Sequence, residues 1–342
     1  MEASVITNIL LPLALGEAIV SQTRDEWTAA YEAEMGYSEP ETPGGTFLDS
    51  ATADIQTVMP FLAEEQDSIF VAGLIFENLT GGDPRTGQPS PTGLADYWEI
   101  AEDGRTYTFY LSQEAIWHDG VDVTAEDVKF SFDALADEAT GSVYTGTFNQ
   151  AVESYRVIDE NTFEMVAREP RFDFLYSLVA FIVPKHIWEG VPFDQWATDP
   201  GATGQDPSRV VGSGPFRFQE WRPGESVTLV RNDDYHGKVP NIDEYVRIAW
   251  PDQPAVINAL LNGEVDVAAL EPADVAGVEG TEGIEIANYT TRGFTYLEFN
   301  LDPEVTTLFQ DREVRQALMY ALDRQSIVDD ILLGFAEVAR GT

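Results

Sequence analysis

Short strand patterns and helix patterns alternate along the chain from residue 46 to residue 334, and this mixture constrains the fold more than any other feature. Apolar residues at every second position predict a strand over Thr106–Leu111, with Tyr107 and Phe109 on one face. Thr124 followed by Asp127 predicts a capped helix that runs to residue 135. Because these patterns do not follow a strict βαβ rhythm, we predict a mixed α/β (α+β) protein with several lobes.

Turn residues separate the other predicted elements. Strands are predicted at residues 46–53, 96–100, 155–166 (a hairpin), 216–221, 226–231, 245–250, 265–270 and 294–299. Helices are predicted at residues 68–79, 254–261, 311–322 and 323–334. The sequence Gly212-Ser213-Gly214-Pro215 is interpreted as a turn into a strand, because a nucleophile elbow needs one further residue on each side of the serine.

The charge balance is strongly acidic. The 342 residues include 60 Asp and Glu but 19 Lys and Arg, which gives a net charge of −41, and 44% are hydrophobic, enough for a large core. The electrostatic field of such a negative charge repels phosphate backbones and anionic lipids, which argues against nucleic-acid binding and against a polybasic membrane anchor. Lysine occurs only at Lys129, Lys185 and Lys238. We interpret this surface as an adaptation to high salt, and an ordinary acidic protein is the alternative.

We expect folding to require high salt, because surface carboxylates repel each other less when the Debye length shrinks to about 3 Å at 1 M ionic strength. Circular dichroism across a NaCl series measures this requirement. The native signal should grow with salt, and a full native signal in dilute buffer would contradict the interpretation.

Residues 1–44 are predicted to be a leader followed by an acidic linker. Val5–Val20 is mostly apolar, but polar residues and a proline interrupt it, and it is shorter than the ~20 residues that a membrane helix needs. A secretory signal begins with basic residues, whereas the first basic residue of this chain is Arg24. The segment is interpreted either as the remainder of a signal sequence that starts upstream, or as a terminal helix or unstructured leader.

The sequence offers little for catalysis, cofactors or metals. It has no GxxxxGK[ST] motif and no GxGxxG motif that opens a helix, so it does not support a nucleotide site. The absence of cysteine removes disulfides, thiolate nucleophiles, Cys-ligated zinc and iron–sulfur clusters. His118, His186 and His236 show no i, i+4 pairing. We predict no cofactor, no metal and no enzymatic activity; an acidic hydrolase that uses a carboxylate pair is kept as an alternative.

Several short segments, taken in order along the chain, carry a resemblance to one protein family. They are Gly93–Phe109 (GLADYWEIAEDGRTYTF), Trp117–Gly120 (WHDG), Thr124–Val128 (TAEDV), Val211–Phe216 (VGSGPF), Glu220–Gly224 (EWRPG), Arg231–Tyr235 (RNDDY), Gly263–Asp266 (GEVD), Val314–Leu318 (VRQAL) and Asp323-Arg324. With these motifs the chain resembles the solute-binding proteins of peptide/nickel ABC transporters, which form the oligopeptide- and dipeptide-binding family.

The resemblance implies a periplasmic-binding-protein-like fold, in which two lobes close over a ligand by a hinge motion. It assigns residues 45–76 and 185–292 to the ligand-contacting part of the first lobe, and residues 77–184 to an extra subdomain of that lobe. Residues 293–342 would begin the second lobe. Because family members continue well beyond this point, the resemblance implies a chain whose second lobe is largely missing.

The resemblance also implies ligand contacts at eight positions. Counting from the matched segments places a ligand-facing loop at Glu64, Glu65 and Gln66, and a ligand-facing tyrosine at Tyr144. The remaining positions, at a strand end and in the second lobe, are Ala269, Leu270, Gly293 and Tyr296. The alternative role of each side chain is packing or surface.

The function implied by the resemblance is the extracytoplasmic substrate-binding component of an ABC importer, which binds di- or oligopeptides. Its partners would be the peptide and the transmembrane permease subunits, with no nucleic acid, and the protein would be a monomer. The alternatives are the same fold binding a nickel chelate or an oligosaccharide, an acidic hydrolase, and a sensory receptor domain. Binding without turnover distinguishes the receptor from the hydrolase.

Overall fold

The structure is a computed structural model that describes residues 19–36, 40, 42–171, 173–178, 180–289, 293 and 295–339. The backbone divides into two compact units, Met1–Pro251 and Asp252–Thr342. Strands and helices are both present, so the predicted mixed α/β class is confirmed. The predicted division into lobes and a subdomain stays a prediction.

Eleven strands are described, all of them in the first unit. They are β1 (Ile19–Val20), β2 (Thr46–Ala51), β3 (Gly81–Gly82), β4 (Pro89–Ser90), β5 (Ala95–Ile100), β6 (Thr106–Leu111), β7 (Val152–Asp159), β8 (Thr162–Ala167), β9 (Phe216–Arg222), β10 (Ser226–Arg231) and β11 (Glu244–Ala249).

A five-stranded antiparallel sheet has the order β1–β5–β6–β8–β7. Its central strand β6 follows the predicted alternation, because Tyr107, Phe109 and Leu111 are buried while the residues between them are partly exposed. Phe109 lies opposite Phe163 of β8, and both rings are fully buried. The pairing of aromatic side chains across the ladder fixes the register of the two strands.

A four-stranded sheet has the order β2–β11–β10–β9, in which β2 runs parallel to β11 and the other pairs are antiparallel. The predicted hairpin of β9 and β10 is confirmed. Asp54 holds its turn from outside the sheet, since its carboxylate accepts hydrogen bonds from Trp221 Nε1 at 3.0 Å and from the Gly224 amide at 2.7 Å. Strand β2 lies at one edge of this sheet.

Six helices are described in the first unit. They are α1 (Arg24–Met35), α2 (Gln66–Ile75), α3 (Ala125–Ala136), α4 (Thr145–Ala151), α5 (Phe174–Ser177) and α6 (Lys185–Trp188). The capping box predicted at Thr124 is present, because the Thr124 amide donates to the Asp127 carboxylate at 2.9 Å. Helical turns of the 3₁₀ type occur at Pro60–Leu62, Glu138–Thr140, Phe193–Thr198 and Pro207–Arg209.

The regular elements described in the second unit are all helical. Its helices are α7 (Gln253–Asn262), α8 (Val275–Val278), α9 (Arg312–Ala321) and α10 (Arg324–Ser326), with a 3₁₀ turn at Leu308–Gln310 and a π-helical turn at Ile327–Ile331. Gly263 ends α7 with φ +71°, as the Asn262-Gly263 pair predicted. The side chain of Asp311 caps α9, which was also predicted.

The predicted strands at residues 265–270 and 294–299 are wrong for the described residues, which contain no strand there. An apolar run supplies strand propensity, but a strand also needs a neighbour that satisfies its amides and carbonyls. No described strand lies beside either segment. The helix predicted to reach residue 334 also ends early, since Leu333 and Gly334 adopt positive φ values of 51° and 82°.

The predicted leader lies outside the described residues, apart from Ile19 and Val20 in β1. Within the segment predicted as an acidic linker, α1 forms a helix of 12 residues. Thr23 and Glu26 give α1 a capping box. This local signal predicts a helix, although the acidic composition of the segment suggests a linker. Across the described residues, we find no helix with both the length and the apolar character needed to cross a membrane.

Candidate functional site

A small apolar pocket in the first unit brings together two of the segments predicted to contact a ligand. Its volume is about 20 Å³, close to the space that one water molecule needs. Its walls come from the turn before α2, from α2 itself, from α3, and from the segments around residues 144 and 181. The lining residues are Pro60, Phe61, Ala63, Ile69, Leu135, Tyr144, Ala180 and Phe181.

One wall is the segment from the 3₁₀ turn to the start of α2, and Glu65 fixes its shape. The Glu65 side chain caps α2 by accepting the Ser68 amide at 2.9 Å, and it also accepts the Gln56 amide at 3.0 Å. A third bond comes from the Ser68 hydroxyl. The carboxylate of Glu65 is therefore held by its own loop, so its contribution to the wall is to position the backbone.

The two neighbours of Glu65 are more exposed than Glu65 itself. Glu64 and Gln66 are exposed beside the pocket residue Ala63. The next acidic residue, Asp67, is drawn away by Arg247, whose Nε lies 3.1 Å from the Asp67 carboxylate. In this loop Glu64 and Gln66 are thus the predicted side chains that remain on the surface.

Tyr144 forms another wall of the pocket at the N-terminus of α4. The residue is half-buried, and its carbonyl accepts the Phe148 amide at 2.9 Å, which starts the helix. Its own amide donates to the Ser142 hydroxyl at 3.3 Å. Within the described residues the phenol hydroxyl makes no hydrogen bond.

The third wall, at Ala180 and Phe181, was missed by the sequence analysis. Phe181 pairs with Asn78 in an isolated antiparallel bridge, and the Ile182 amide donates to the Glu77 carbonyl at 2.8 Å. Residues about one hundred positions apart are thereby placed side by side. The aromatic and apolar run that ends at Pro184 is the only sequence signal, and it does not indicate which ring lines a pocket.

A buried polar cluster at Glu77 lies next to the bridge between Asn78 and Phe181. Glu77 is 6% exposed, and its carboxylate accepts a hydrogen bond from the Tyr235 hydroxyl at 3.0 Å and contacts His236 Nε2 at 2.9 Å. Burial, followed by the negative charge of Glu77, raises the pKa of Tyr235 well above its usual value. Tyr235 therefore stays a hydrogen-bond donor to Glu77.

A second cluster holds the segment around residues 211–215 against the end of α2. The Gly214 amide donates to the Ile75 carbonyl at 2.8 Å, which satisfies a carbonyl at the helix terminus. His118 Nδ1 accepts the Gly212 amide at 3.2 Å, and its Nε2 lies 3.0 Å from the Gly214 carbonyl. Burial, together with the nearby positive charge of Arg217, lowers the pKa of His118 to about 4. The imidazole is neutral, with its proton on Nε2.

The other four predicted site residues lie in the second unit. Ala269 is exposed, and its carbonyl accepts a hydrogen bond from Gln253 Nε2 at 2.8 Å. Leu270 is half-buried, Gly293 is exposed, and Tyr296 is 67% exposed. Of the eight predicted residues, Tyr144 lines the pocket in the first unit; Glu64–Gln66 lie in the chain between the lining residues Ala63 and Ile69, and none of these four lines it.

Metal-binding potential is low in the part of the chain that the structure describes. No group of three or more His, Asp or Glu side chains is placed there to hold a metal ion. His236, whose side chain is 1% exposed, faces a single carboxylate.

Comparisons with known proteins point to one family. A protein of Brucella ovis, named for peptide binding in an ABC transporter, is 31% identical over 72% of this chain and 45% of its own length. The oligopeptide-binding protein AppA of Bacillus subtilis is 25% identical over 98% of this chain and 60% of its own length. The structure of NikZ from Campylobacter jejuni with Ni(L-His) is 27% identical, with a TM-score of 0.75 over 86% of this chain and 57% of that chain.

The chain thus spans about half the length of the curated relatives it matches. Over the part that is compared, its fold is that of these binding proteins. A family model, that of the bacterial extracellular solute-binding proteins, family 5 (middle), matches residues 91–342, which is most of the chain. The family predicted from the motifs is confirmed, and the chain belongs to the bacterial extracellular solute-binding proteins of family 5.

Proposed function

We propose that this protein binds peptides outside the cytoplasm and delivers them to the permease of an ABC importer. The observation that carries the proposal is the pocket in which the 60–69 segment and Tyr144 meet, in a chain of this family. The relatives from Brucella ovis and Bacillus subtilis are named for peptide binding. The partners we propose are the peptide and the transmembrane permease subunits, and the protein acts as a monomer without catalytic turnover.

The geometry of the first unit suits an extended ligand. Strand β2 is an edge strand, and the chain runs from it into the 60–69 segment that lines the pocket. The main chain of a peptide can pair with the edge of a sheet, while pockets and ordered water accommodate its side chains. We propose that the pocket is part of the ligand-contacting wall of the first lobe. Contacts made to both lobes at once would favour closure.

We propose the same ligand role for the residues predicted from the family. Glu64 and Gln66 would contribute their side chains, and Glu65 would contribute the backbone that it positions. Ala269, Leu270, Gly293 and Tyr296 would contribute from the second unit. A nickel chelate is the second candidate ligand, because NikZ was solved with Ni(L-His).

Native mass spectrometry of the protein with a mixture of di- to decapeptides tests the proposal. Retained peptides should be recovered with unchanged mass. Ni(L-His) is the matched probe for the second candidate, and retention of that complex in place of any peptide would overturn the peptide assignment. Steady hydrolysis of the mixture by purified protein would contradict the receptor function altogether.

Tyr144→Ala should weaken peptide affinity about tenfold, because a half-buried aromatic ring and a free hydroxyl are lost from the pocket wall. The free energy of unfolding should fall by about 1 kcal/mol, since the ring is only partly buried and packs against the core from its outer side. Titration calorimetry and thermal melting measure the two quantities. The neighbouring Val143, which is 57% exposed, supplies the control Val143→Ala. Equal affinity of Tyr144→Ala and wild type would refute the role of the ring.

A further inference from the structure

The N-terminal segment of residues 19–35 lies along the first unit and makes contacts that do not belong to the pocket. Ile19 and Val20 pair with Ile100 and Glu99, so that β1 covers the outer edge of β5. The ladder continues at Ser21, whose amide donates to the Trp98 carbonyl at 2.9 Å and whose hydroxyl accepts the Trp98 amide at 2.9 Å. An edge that would otherwise offer unpaired amides is thereby closed.

Helix α1 continues along the surface with one face turned to the protein. Arg24, Trp27, Thr28, Tyr31 and Glu32 are partly buried, and the rest of the helix is exposed. Their spacing is that of one helical stripe. No residue of α1 is fully buried, so the helix adds nothing to the core. Its attachment must therefore rest on a few specific contacts.

Arg24 makes the first of these contacts at the start of the helix. Its Nε lies 3.0 Å from the Asp96 carboxylate, and its guanidinium also donates to the Gly93 carbonyl. The Arg24 side chain is 12% exposed, which is low for a residue on the face of a surface helix. The partial burial strengthens this ion pair relative to an exposed one.

Arg85 makes the central contact from the body of the protein. The rings of Trp27 and Tyr31 stack at 4.9 Å with an interplanar angle of 13°, and the Arg85 guanidinium lies 4.9 Å from the Tyr31 centroid and 5.9 Å from that of Trp27. Asp83 orients the guanidinium at 2.6 Å, and Glu34 of α1 pairs with it as well. A cation, two rings and two carboxylates thus form one clamp.

Lys238 makes a third contact, an ion pair with Glu32. Lys238 lies in the predicted ligand-contacting part of the first lobe, whereas Arg85 and Asp96 lie in the predicted extra subdomain. We infer that residues 19–35 are a strap, which the Arg85 clamp holds in place and which ties these two parts of the first unit together. The strap makes no use of a ligand, so a test of this inference does not depend on whether the proposed function is correct.

The negative charge of the protein explains why a few contacts decide whether α1 docks on the first unit. Helix α1 carries four carboxylates, of Asp25, Glu26, Glu32 and Glu34, and one guanidinium. The whole chain has a charge of −41, so the body repels this helix unless cations lie beneath it. Arg85 and Lys238 are the body's cations that pair with α1 among the described residues.

Amide hydrogen exchange measures whether the strap is docked. An isolated helix of 12 residues is marginal in water, so protection of the α1 amides reports docking itself. We expect slow exchange at residues 24–35 of the wild type. Arg85→Ala should speed exchange there about tenfold, because it removes a cation–π contact and an ion pair. Amides of β6 and β8 should be unchanged.

Two further variants make the test specific. Trp27→Ala, on the strap itself, should reproduce the effect and leave the Arg85–Asp83 pair intact. Arg222→Ala removes a surface arginine that pairs with Glu220 at 2.7 Å away from the strap, and it should change nothing at residues 24–35. Wild-type α1 exchanging at the rate of an unstructured peptide would overturn the inference. So would equal exchange in Arg85→Ala and wild type, or faster exchange throughout the first unit in Trp27→Ala, which would make α1 part of the core.

Discussion

Gly212→Ala should destabilise the first unit by about 3 kcal/mol, because the segment that carries Gly212 crosses the end of α2 without space for a side chain. A Cβ atom at Gly212 would lie 1.9 Å from the Ile75 carbonyl oxygen and 2.6 Å from its carbon. Both are backbone atoms, so no side chain can rotate to make room. Either the end of α2 or the 211–215 segment must move.

The movement should also reach the pocket that we propose contacts the ligand. Helix α2 carries Ile69 in the pocket wall, and its first turn follows the Glu65 cap. A displaced α2 should therefore lower peptide affinity as well as stability. Urea unfolding in constant salt gives the free energy of unfolding, and calorimetry gives the affinity.

Gly146→Ala is the matched control, because it makes the same chemical change in α4, close to Tyr144. A Cβ atom at Gly146 would meet nothing within 4 Å. Alanine favours a helix over glycine by about 0.5–1 kcal/mol, so this variant should be neutral or slightly more stable. A Gly212→Ala protein as stable as Gly146→Ala would show that the contact with Ile75 is not tight.

Acidification from pH 6.5 to pH 4 should remove roughly 3 kcal/mol of stability through His118 alone. The pKa of His118 is about 4 in the folded protein, against an ordinary value of 6.5. Between these two values the unfolded chain binds a proton that the folded protein does not, so stability falls as the pH falls through this window. Above pH 6.5 the contribution is complete, and below pH 4 it is lost.

The physical reason is the buried hydrogen-bond arrangement around the imidazole. His118 Nδ1 accepts the Gly212 amide at 3.2 Å, so a proton on Nδ1 would face another donor. The carboxylates of Asp83, Asp103 and Asp173 contribute in a lower range. Their pKa values lie below the ordinary value of 3.8, so their contribution to stability is lost as the pH falls from about 3.8 towards their folded pKa values.

Urea unfolding at pH 7, 5.5 and 4 in constant salt measures this dependence. His118→Gln should be less stable at pH 7 and should show a flatter dependence between pH 6.5 and 4. His186→Gln is the control, since that imidazole is 33% exposed and pairs with Asp119 at the surface. An unchanged pH slope in His118→Gln would contradict the assignment.

Local signals in the sequence predicted much of the first unit. The Thr124–Asp127 capping box, the β9–β10 hairpin and the strand β6 each depend on residues close together in the chain. Such elements follow from propensity and turn chemistry, which neighbouring residues determine. The same reasoning failed at residues 265–270. The pattern there favours a strand, but the described structure contains no neighbouring strand with which it could pair.

The site was predictable only in part, because its walls are joined by contacts far apart in sequence. The family resemblance predicted ligand contacts at the Glu64–Gln66 loop and at Tyr144. Tyr144 lines the pocket, and the loop follows the lining residue Ala63. It did not indicate that the Glu65 carboxylate caps α2, nor that Phe181 reaches the pocket through its bridge with Asn78. Both facts depend on where the backbone is held, which spacing alone does not specify.

We propose that a peptide binds at the pocket formed by the 60–69 segment and Tyr144. Amide hydrogen exchange of the protein, with and without a peptide captured from the mixture, tests where binding occurs. We expect slower exchange at residues 60–69 and 142–148 in the presence of that peptide, with little change at the β9–β10 hairpin. Protection confined to other segments, with exchange at residues 60–69 and 142–148 unaltered by a bound peptide, would contradict it.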